Sequence, residues 1–292
     1  MKISVSSYSY NQYISTGKMT QMDALIKAAE QGFDGIEFTE LRPGNNKDAS
    51  FEDQLAFAKE LREKAKELDI EIVAYLIGAN LYKGSREEDG KEVERVCRQL
   101  DVAAALGAKI FRHDIIYKEV VDGKTVSFDR QLPTIAENAR RITEYAAKLG
   151  IRTCSENHGY VAQDSDRVEK LYNTVAHENY GLLIDMGNFA CADEDSAKAV
   201  SRLAAYAIHA HAKDFVKYPF GSEIPADAKT FFTRGCNRLA GCAVGDGDIP
   251  VQQCVEILKR AGYDGYLTIE FEGSGECISE ISKGQANLRS YI

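Results

Sequence analysis

The sequence predicts an α/β chain folded as a (β/α)8 TIM barrel, eight parallel strands closed into a barrel, with an additional C-terminal helix. Three observations predict it. Short β-rich runs alternate with longer amphipathic segments along the whole chain. The units also echo one another. "EQGFDGIEF" (30–38) and "RAGYDGYLTIEF" (260–271) share a helix-ending glycine, an aromatic, Asp-Gly and a strand ending Ile-Glu-Phe, while "LGAKIF" and "LGIRTC" repeat the helix–glycine–strand join. Finally, no G-x-G-x-x-G follows the first strand, which removes the best reason to prefer a doubly wound sheet.

The elements follow in order. "KISVSSY" (2–8) reads as the first strand, and "TQMDALIKAAEQG" as a helix closed by Gly32. "FDGIEFT" (33–39) is the second strand. "SFEDQLAFAKELREKAKELD" has a serine-led start, acids in its first turn and apolar residues at three- and four-residue spacing, which is a capped amphipathic helix. "IEIVAYLIGA" (70–79) is the third strand, followed by the helix "EVERVCRQLDVAAALG" and the fourth strand "AKIFRHD" (108–114). "LPTIAENARRITEYAAKLG" leads to the fifth strand, "IRTCSENHG" (151–159). "DRVEKLYNTVA" leads to the sixth, "YGLLIDMGN" (180–188), and "EDSAKAVSRLAAY" to the seventh, "AIHAHAKD" (207–214). A long loop (215–249), read as a lid, precedes the helix "PVQQCVEILKRAG" and the eighth strand "YLTIEFEG" (266–273). A helix near 276–290 closes the chain. No Pro- or Ser-rich linker divides it, so residues 1–292 read as one domain.

Composition narrows the function classes. The net charge is −9 and no dense Lys/Arg run tracks a phosphate backbone, which weighs against nucleic acid and toward a small molecule. No stretch approaches the ~20 apolar residues that span a bilayer, and "MKISVSSYSYNQ" lacks the apolar centre of a signal peptide. The expectation is a cytoplasmic protein with no membrane partner. Seven scattered cysteines without C-x-x-C read as reduced thiols rather than a zinc site. "GDGDIP" (245–250) lacks the Lys-Ser/Thr of a nucleotide loop and reads as a turn whose Asp248 caps the next helix.

Barrel chemistry sits at the C-terminal ends of the strands. There the fifth strand carries Glu156, Asn157 and His158, the sixth Asp185 and then Asn188, the seventh His209, His211, Lys213 and Asp214, and the eighth Glu270 and Glu272. A barrel brings these four ends to one mouth. Carboxylates and an imidazole converging there repel one another and lose hydration unless a cation lies among them. Such an oxygen-rich set suits Mn2+ first, with Mg2+, Co2+ or Zn2+ as alternatives. Glu270 directly follows the apolar run "YLTI" and is placed at the mouth, with Glu272 above it.

"GFDGIEF", "ENHG", "LLIDMGN", "HAHAKDF", "GDGDIP" and "AGYDGYLTIEFEG" together resemble the xylose isomerase-like TIM barrel superfamily, and within it the sugar phosphate isomerase/epimerase family. The resemblance covers nearly the whole chain. It implies a divalent metal held by Glu156, Asp185, His211 and Glu270, with His209 one layer deeper. It implies Glu156 and Glu270 as the catalytic pair, exchanging protons with a sugar, keto-sugar or keto-polyol through an enediolate that the cation stabilises. Isomerisation or epimerisation is the leading expectation. A lyase acting on a keto-inositol or 3-keto-sugar, similar to inosose dehydratase, is the alternative. Related ketose 3-epimerases carry a histidine where this chain has Asn188, which leaves room for that alternative.

Other groups are candidates to bind the substrate: His158, Lys213, Glu37, Asn188, Arg234 in the long loop, and His113. Strand alternation lets only one of Arg112 and His113 point inward. Tyr8, Tyr10 and Tyr75 read as wall or core. A DNA-repair endonuclease of the same superfamily would use a three-zinc cluster with several more histidines, whereas the third strand's end, "AYLIGANL", has none and the chain is acidic. A homo-oligomer is compatible with the chain.

Overall fold

The structure is a computed structural model describing residues 1–121 and 123–292. Eight strands form the barrel: β1 (Lys2–Ser6), β2 (Gly35–Thr39), β3 (Glu71–Ile77), β4 (Ile110–His113), β5 (Arg152–Glu156), β6 (Tyr180–Asp185), β7 (Ala207–Ala212) and β8 (Tyr266–Ile269). They close in the order β1-β8-β7-β6-β5-β4-β3-β2, every pair parallel. The eight-stranded TIM barrel read from the sequence is the fold observed.

Outside lie α1 (Gln21–Glu30), α2 (Phe51–Glu67), α3 (Arg86–Leu106), α4 (Phe128–Lys148), α5 (Ser165–Val175), α6 (Ser196–Leu203), α7 (Val251–Arg260) and the additional α8 (Cys277–Arg289). Their starts are chemically marked. Thr20 with Asp23, and Ser50 with Asp53, form reciprocal capping boxes. Asp164 and Asp195 accept from the third helical N–H of α5 and α6. Two helices begin earlier than the apolar periodicity indicates. Helix α3 starts at Arg86 because Ser85 caps Glu88 and the acids Glu87, Glu88 and Asp89 favour its positive end. Helix α4 starts at Phe128, so Pro133 lies within it instead of at its start.

The apolar material divides in two. A large core lies between the strands and the helices. A smaller cluster of Val73, Ala74, Leu76, Cys154 and Leu183, with Ile110, Ile208 and Tyr266 against it, lies wholly on barrel strands and forms the plug inside the barrel. Glycine makes room for it. A Cβ on Gly181 would lie 2.4 Å from Ile208, and one on Gly35 2.5 Å from Val73. All seven cysteines are free.

The long loop after β7 is not an unstructured lid. Asp214–Tyr218 and Phe231–Phe232 pair antiparallel with Arg238–Cys242 to form a three-stranded sheet. Nor does Asp248 cap α7. Pro250 is the cap residue, and the Asp248 carboxylate accepts from Lys217 N at 2.7 Å. The organiser of "GDGDIP" is Asp214. Its carboxylate accepts from the backbone N–H of Phe215, Gly245, Gly247 and Ile249 at 2.8–3.1 Å. Gly247 allows that approach, since a Cβ there would lie 2.2 Å from Asp214 Oδ1.

Candidate metal centre and active site

Strand register assembles the site. Asp185 is the partner of His211 across β6 and β7, and His211 the partner of Thr268 across β7 and β8. Glu156 ends β5, and Glu270 follows β8. One ligand atom each from Glu156, Asp185, His211 and Glu270 falls within 4.8 Å of all the others, and all four residues are buried. His211 Nδ1 faces the three carboxylates, 3.9 Å from Glu156 Oε1, 3.7 Å from Asp185 Oδ2 and 3.8 Å from Glu270 Oε2.

These residues fit a divalent cation. Among the described residues, His211 Nδ1 and Asp185 Oδ2 are buried atoms that make no hydrogen bond, Asp185 Oδ2 having the Lys213 ammonium at 3.2 Å, and coordination would satisfy both. The other oxygen, Asp185 Oδ1, accepts from Gly187 N and Asn188 N at 2.8 and 2.9 Å, which aims the free one at the cluster. Three carboxylates and one imidazole form a hard, oxygen-rich donor set.

The two glutamates are not equivalent. Glu156 Oε2 receives Arg112 Nε at 2.7 Å and Nη2 at 2.5 Å, and Oε1 receives Asn188 Nδ2 at 2.8 Å. Glu270 Oε2 meets Lys213 Nζ at 2.5 Å, while Oε1 accepts from no protein donor among the described residues.

Lys213 is buried and also lies 3.2 Å from Asp185 Oδ2 and 3.6 Å from Glu272 Oε2. Burial alone would lower its pKa; the Asp185 and Glu270 carboxylates carry it well above the ordinary lysine value, so it stays charged. It donates to Asn188 Oδ1 at 3.2 Å. Asn188 therefore braces Glu156 and Lys213 with its side chain, where the sequence reading had it bind substrate.

The other expected substrate contacts divide. His158 stays near the mouth, its side chain 40% exposed and its Nδ1 2.9 Å from Asp114 Oδ1. Asp114 is held in turn by Arg112 Nη1 at 3.2 Å and by the Tyr117 hydroxyl at 3.0 Å. Burial lowers the His158 pKa and Asp114 raises it, with a net rise. His113 is a correction. It is fully buried, its Nδ1 lies 2.9 Å from Asp114 O, and burial pushes its pKa down to about 4. The alternation on β4 gives the mouth to Arg112.

Glu37 is another correction. It lies buried below the mouth, Oε2 2.8 Å from His209 Nε2 and Oε1 3.0 Å from His211 Nε2. His209 is likewise buried one layer below the four-residue cluster. Arg234 does not reach the cluster's carboxylates. It pairs with Asp164 Oδ2 at 2.7 Å and the Tyr160 carbonyl, tying the three-stranded sheet to the β5–α5 connection. Tyr8 is at the rim, 3.4 Å from Glu272 Oε1, whereas Tyr10 and Tyr75 are core. Among the described residues no helix is long and apolar enough to cross a membrane.

Comparison with known proteins agrees with this architecture. Residues 25–291 match the family model described as xylose isomerase-like TIM barrel. Inosose dehydratase of Clostridium perfringens (strain 13 / Type A) is 29% identical over 223 residues, 73% of either chain. Among solved structures, the zinc-bound IOLI protein superposes with a TM-score of 0.76 at 16% identity, covering 100% of this chain and 98% of that one. L-ribulose 3-epimerase superposes with a TM-score of 0.72 at 14% identity, covering 99% and 94%. Identities this low carry the fold alone.

Proposed function

The chain belongs to the xylose isomerase-like TIM barrel family, and from that premise we propose that it is a divalent-metal-dependent enzyme that removes water from a keto-polyol such as an inosose, or from a 3-keto-sugar. The observation that carries this reading is the inequality of the two glutamates. Epimerisation and isomerisation by a two-glutamate exchange need both carboxylates free to take and return protons. Glu156 has Arg112 on one oxygen and Asn188 on the other, and its remaining capacity faces the cluster. Only Glu270 keeps an oxygen without a protein donor among the described residues. The inosose dehydratase relative supports the same reading.

Glu156, Asp185, His211 Nδ1 and Glu270 hold the cation, Mn2+ first among the candidates. Bound there, it supplies Lewis-acid polarisation of a carbonyl and the hydroxyl beside it. Glu270 Oε1 takes the proton from the carbon next to the carbonyl. His158 gives a proton to the hydroxyl that leaves, so the C–H and C–O electron pairs end in a new C=C and a released water. Asp114 on Nδ1 leaves Nε2 of His158 as the donating atom.

The second reading is isomerisation or epimerisation of a sugar or keto-sugar, favoured by the placement of both Glu156 and Glu270 in the cluster. One experiment separates them. Metal-loaded protein is incubated with an inosose in D2O. Elimination gives unsaturated-ketone absorbance and loss of one water by mass spectrometry. Deuterium entering next to the carbonyl without loss of water is the isomerase or epimerase result and contradicts the dehydratase reading.

A further inference from the structure

The two ring nitrogens of His211 have opposite surroundings. Nδ1 faces the carboxylates of Glu156, Asp185 and Glu270. Nε2 lies 3.0 Å from Glu37 Oε1. The second oxygen of Glu37 lies 2.8 Å from His209 Nε2, which is 3.2 Å from Thr268 Oγ1. Thr268 Oγ1 and Ser4 Oγ are 2.6 Å apart. Ser4, Glu37, His209, His211 and Thr268 are fully buried. Four strands contribute: Ser4 from β1, Glu37 from β2, the histidines from β7 and Thr268 from β8.

A neutral imidazole has one N–H and one lone pair, and an ionised carboxylate can only accept. With a cation among the three carboxylates, the lone pair of a neutral His211 belongs on Nδ1, and its one proton then belongs on Nε2, 3.0 Å from Glu37 Oε1.

Resting on the metal-centre reading above, we propose that Glu37 is the positioning residue of that centre: it fixes the tautomer and ring orientation of His211, and His209 holds Glu37 in place. Ligating histidines are commonly held this way by an outer carboxylate. The opposing assignment, a second cation at Glu37, His209 and His211, is geometrically conceivable because their atoms also lie within 4.8 Å of one another. It would require His211 to give up its last proton and bind cations on both nitrogens. Glu37 Oε2 is instead hydrogen-bonded to His209 Nε2 at 2.8 Å, and Glu37 Oε1 lies 3.0 Å from His211 Nε2, two atoms that make no other hydrogen bond among the described residues.

The test is Zn2+ titration calorimetry of metal-stripped wild type, Glu37→Gln and His209→Gln, with 15N-histidine NMR of each Zn2+-loaded protein. The expected result is one Zn2+ per wild-type chain and His211 protonated on Nε2. Glu37→Gln should bind Zn2+ about 10–100-fold more weakly, with the His211 Nε2–H resonance, held downfield by the carboxylate in wild type, moved upfield. His209→Gln leaves the Glu37–His211 contact and should lose less. A merely structural role would weaken both variants alike and leave the His211 Nε2–H resonance unchanged. Wild-type affinity in a folded Glu37→Gln overturns the proposal, and so does a second Zn2+ that both variants lose. If Glu37→Gln does not fold, the wild-type tautomer decides, and a proton on Nδ1 overturns it. If wild type binds no Zn2+, the metal-centre reading fails and this inference falls with it; if wild type binds and Glu37→Gln is unaffected, only this inference fails.

Discussion

Lys213 and Arg112 are the two buried cations among the site's carboxylates, and each makes a prediction. Lys213 stands within 3.6 Å of Asp185, Glu270 and Glu272. In Lys213→Met, the repulsion it offsets is left to the bound metal. The metal-free protein should melt at a lower temperature, and the rise in Tm on adding Mn2+ should be larger than in wild type; an unchanged metal-free Tm would contradict this. Arg112→Gln removes the partner of Glu156, and breaking a buried pair costs about 3–5 kcal/mol. Urea denaturation of the metal-free variant should show a loss of that size. At this scale the sequence was partly legible. The residues brought together as a cluster are those its motif series implied. The choice between Arg112 and His113 was not legible, because the phase of a four-residue strand depends on its neighbours. Neither was the role of Glu37, which depends on its reach across the barrel from β2 to β7.

At the scale of elements, the segment after β7 departs most from expectation. It read as a long loop able to fold over the mouth as a lid. The turn that follows the three-stranded sheet is tied down by Asp214, which gathers four backbone N–H groups that lie up to 35 residues away in sequence. Asp214→Ala leaves the buried N–H groups of Phe215 and Ile249 unsatisfied, and each buried unpaired donor costs about 1–3 kcal/mol. We expect a loss of at least that size in a denaturation curve and faster proteolysis within residues 215–249. Gly247→Ala should act the same way, since its Cβ would press on Asp214 Oδ1 at 2.2 Å. Wild-type protease resistance in both variants would contradict the account. The strands and helices themselves were legible, because β-rich runs and 3.6-residue periodicity are local signals. The helix starts at Arg86 and Phe128 were not, because caps and first turns carry no apolar period.

At the scale of the molecule, the barrel holds three layers inside: an apolar plug, the buried Ser4–Thr268–His209–Glu37 network, and the four-residue cluster at the mouth. The closed barrel was predictable from the alternation and the repeated joins, whereas the layering was not, since it depends on side chains meeting across strands far apart in sequence. A cation that binds only the folded barrel stabilises it by mass action, about 2.7 kcal/mol at a free concentration of 100 times Kd. Chelation should therefore lower the Tm by several degrees, and Mn2+ should restore it. The central claim is that one divalent cation sits among Glu156, Asp185, His211 and Glu270. Anomalous diffraction at the zinc edge from Zn2+-loaded crystals tests it most directly. The account predicts one peak, about 2.0–2.1 Å from His211 Nδ1 and about 2.0–2.2 Å from the carboxylate oxygens. A peak on the Nε2 side of His211, between Glu37 and His209, or no peak at the mouth, would contradict it.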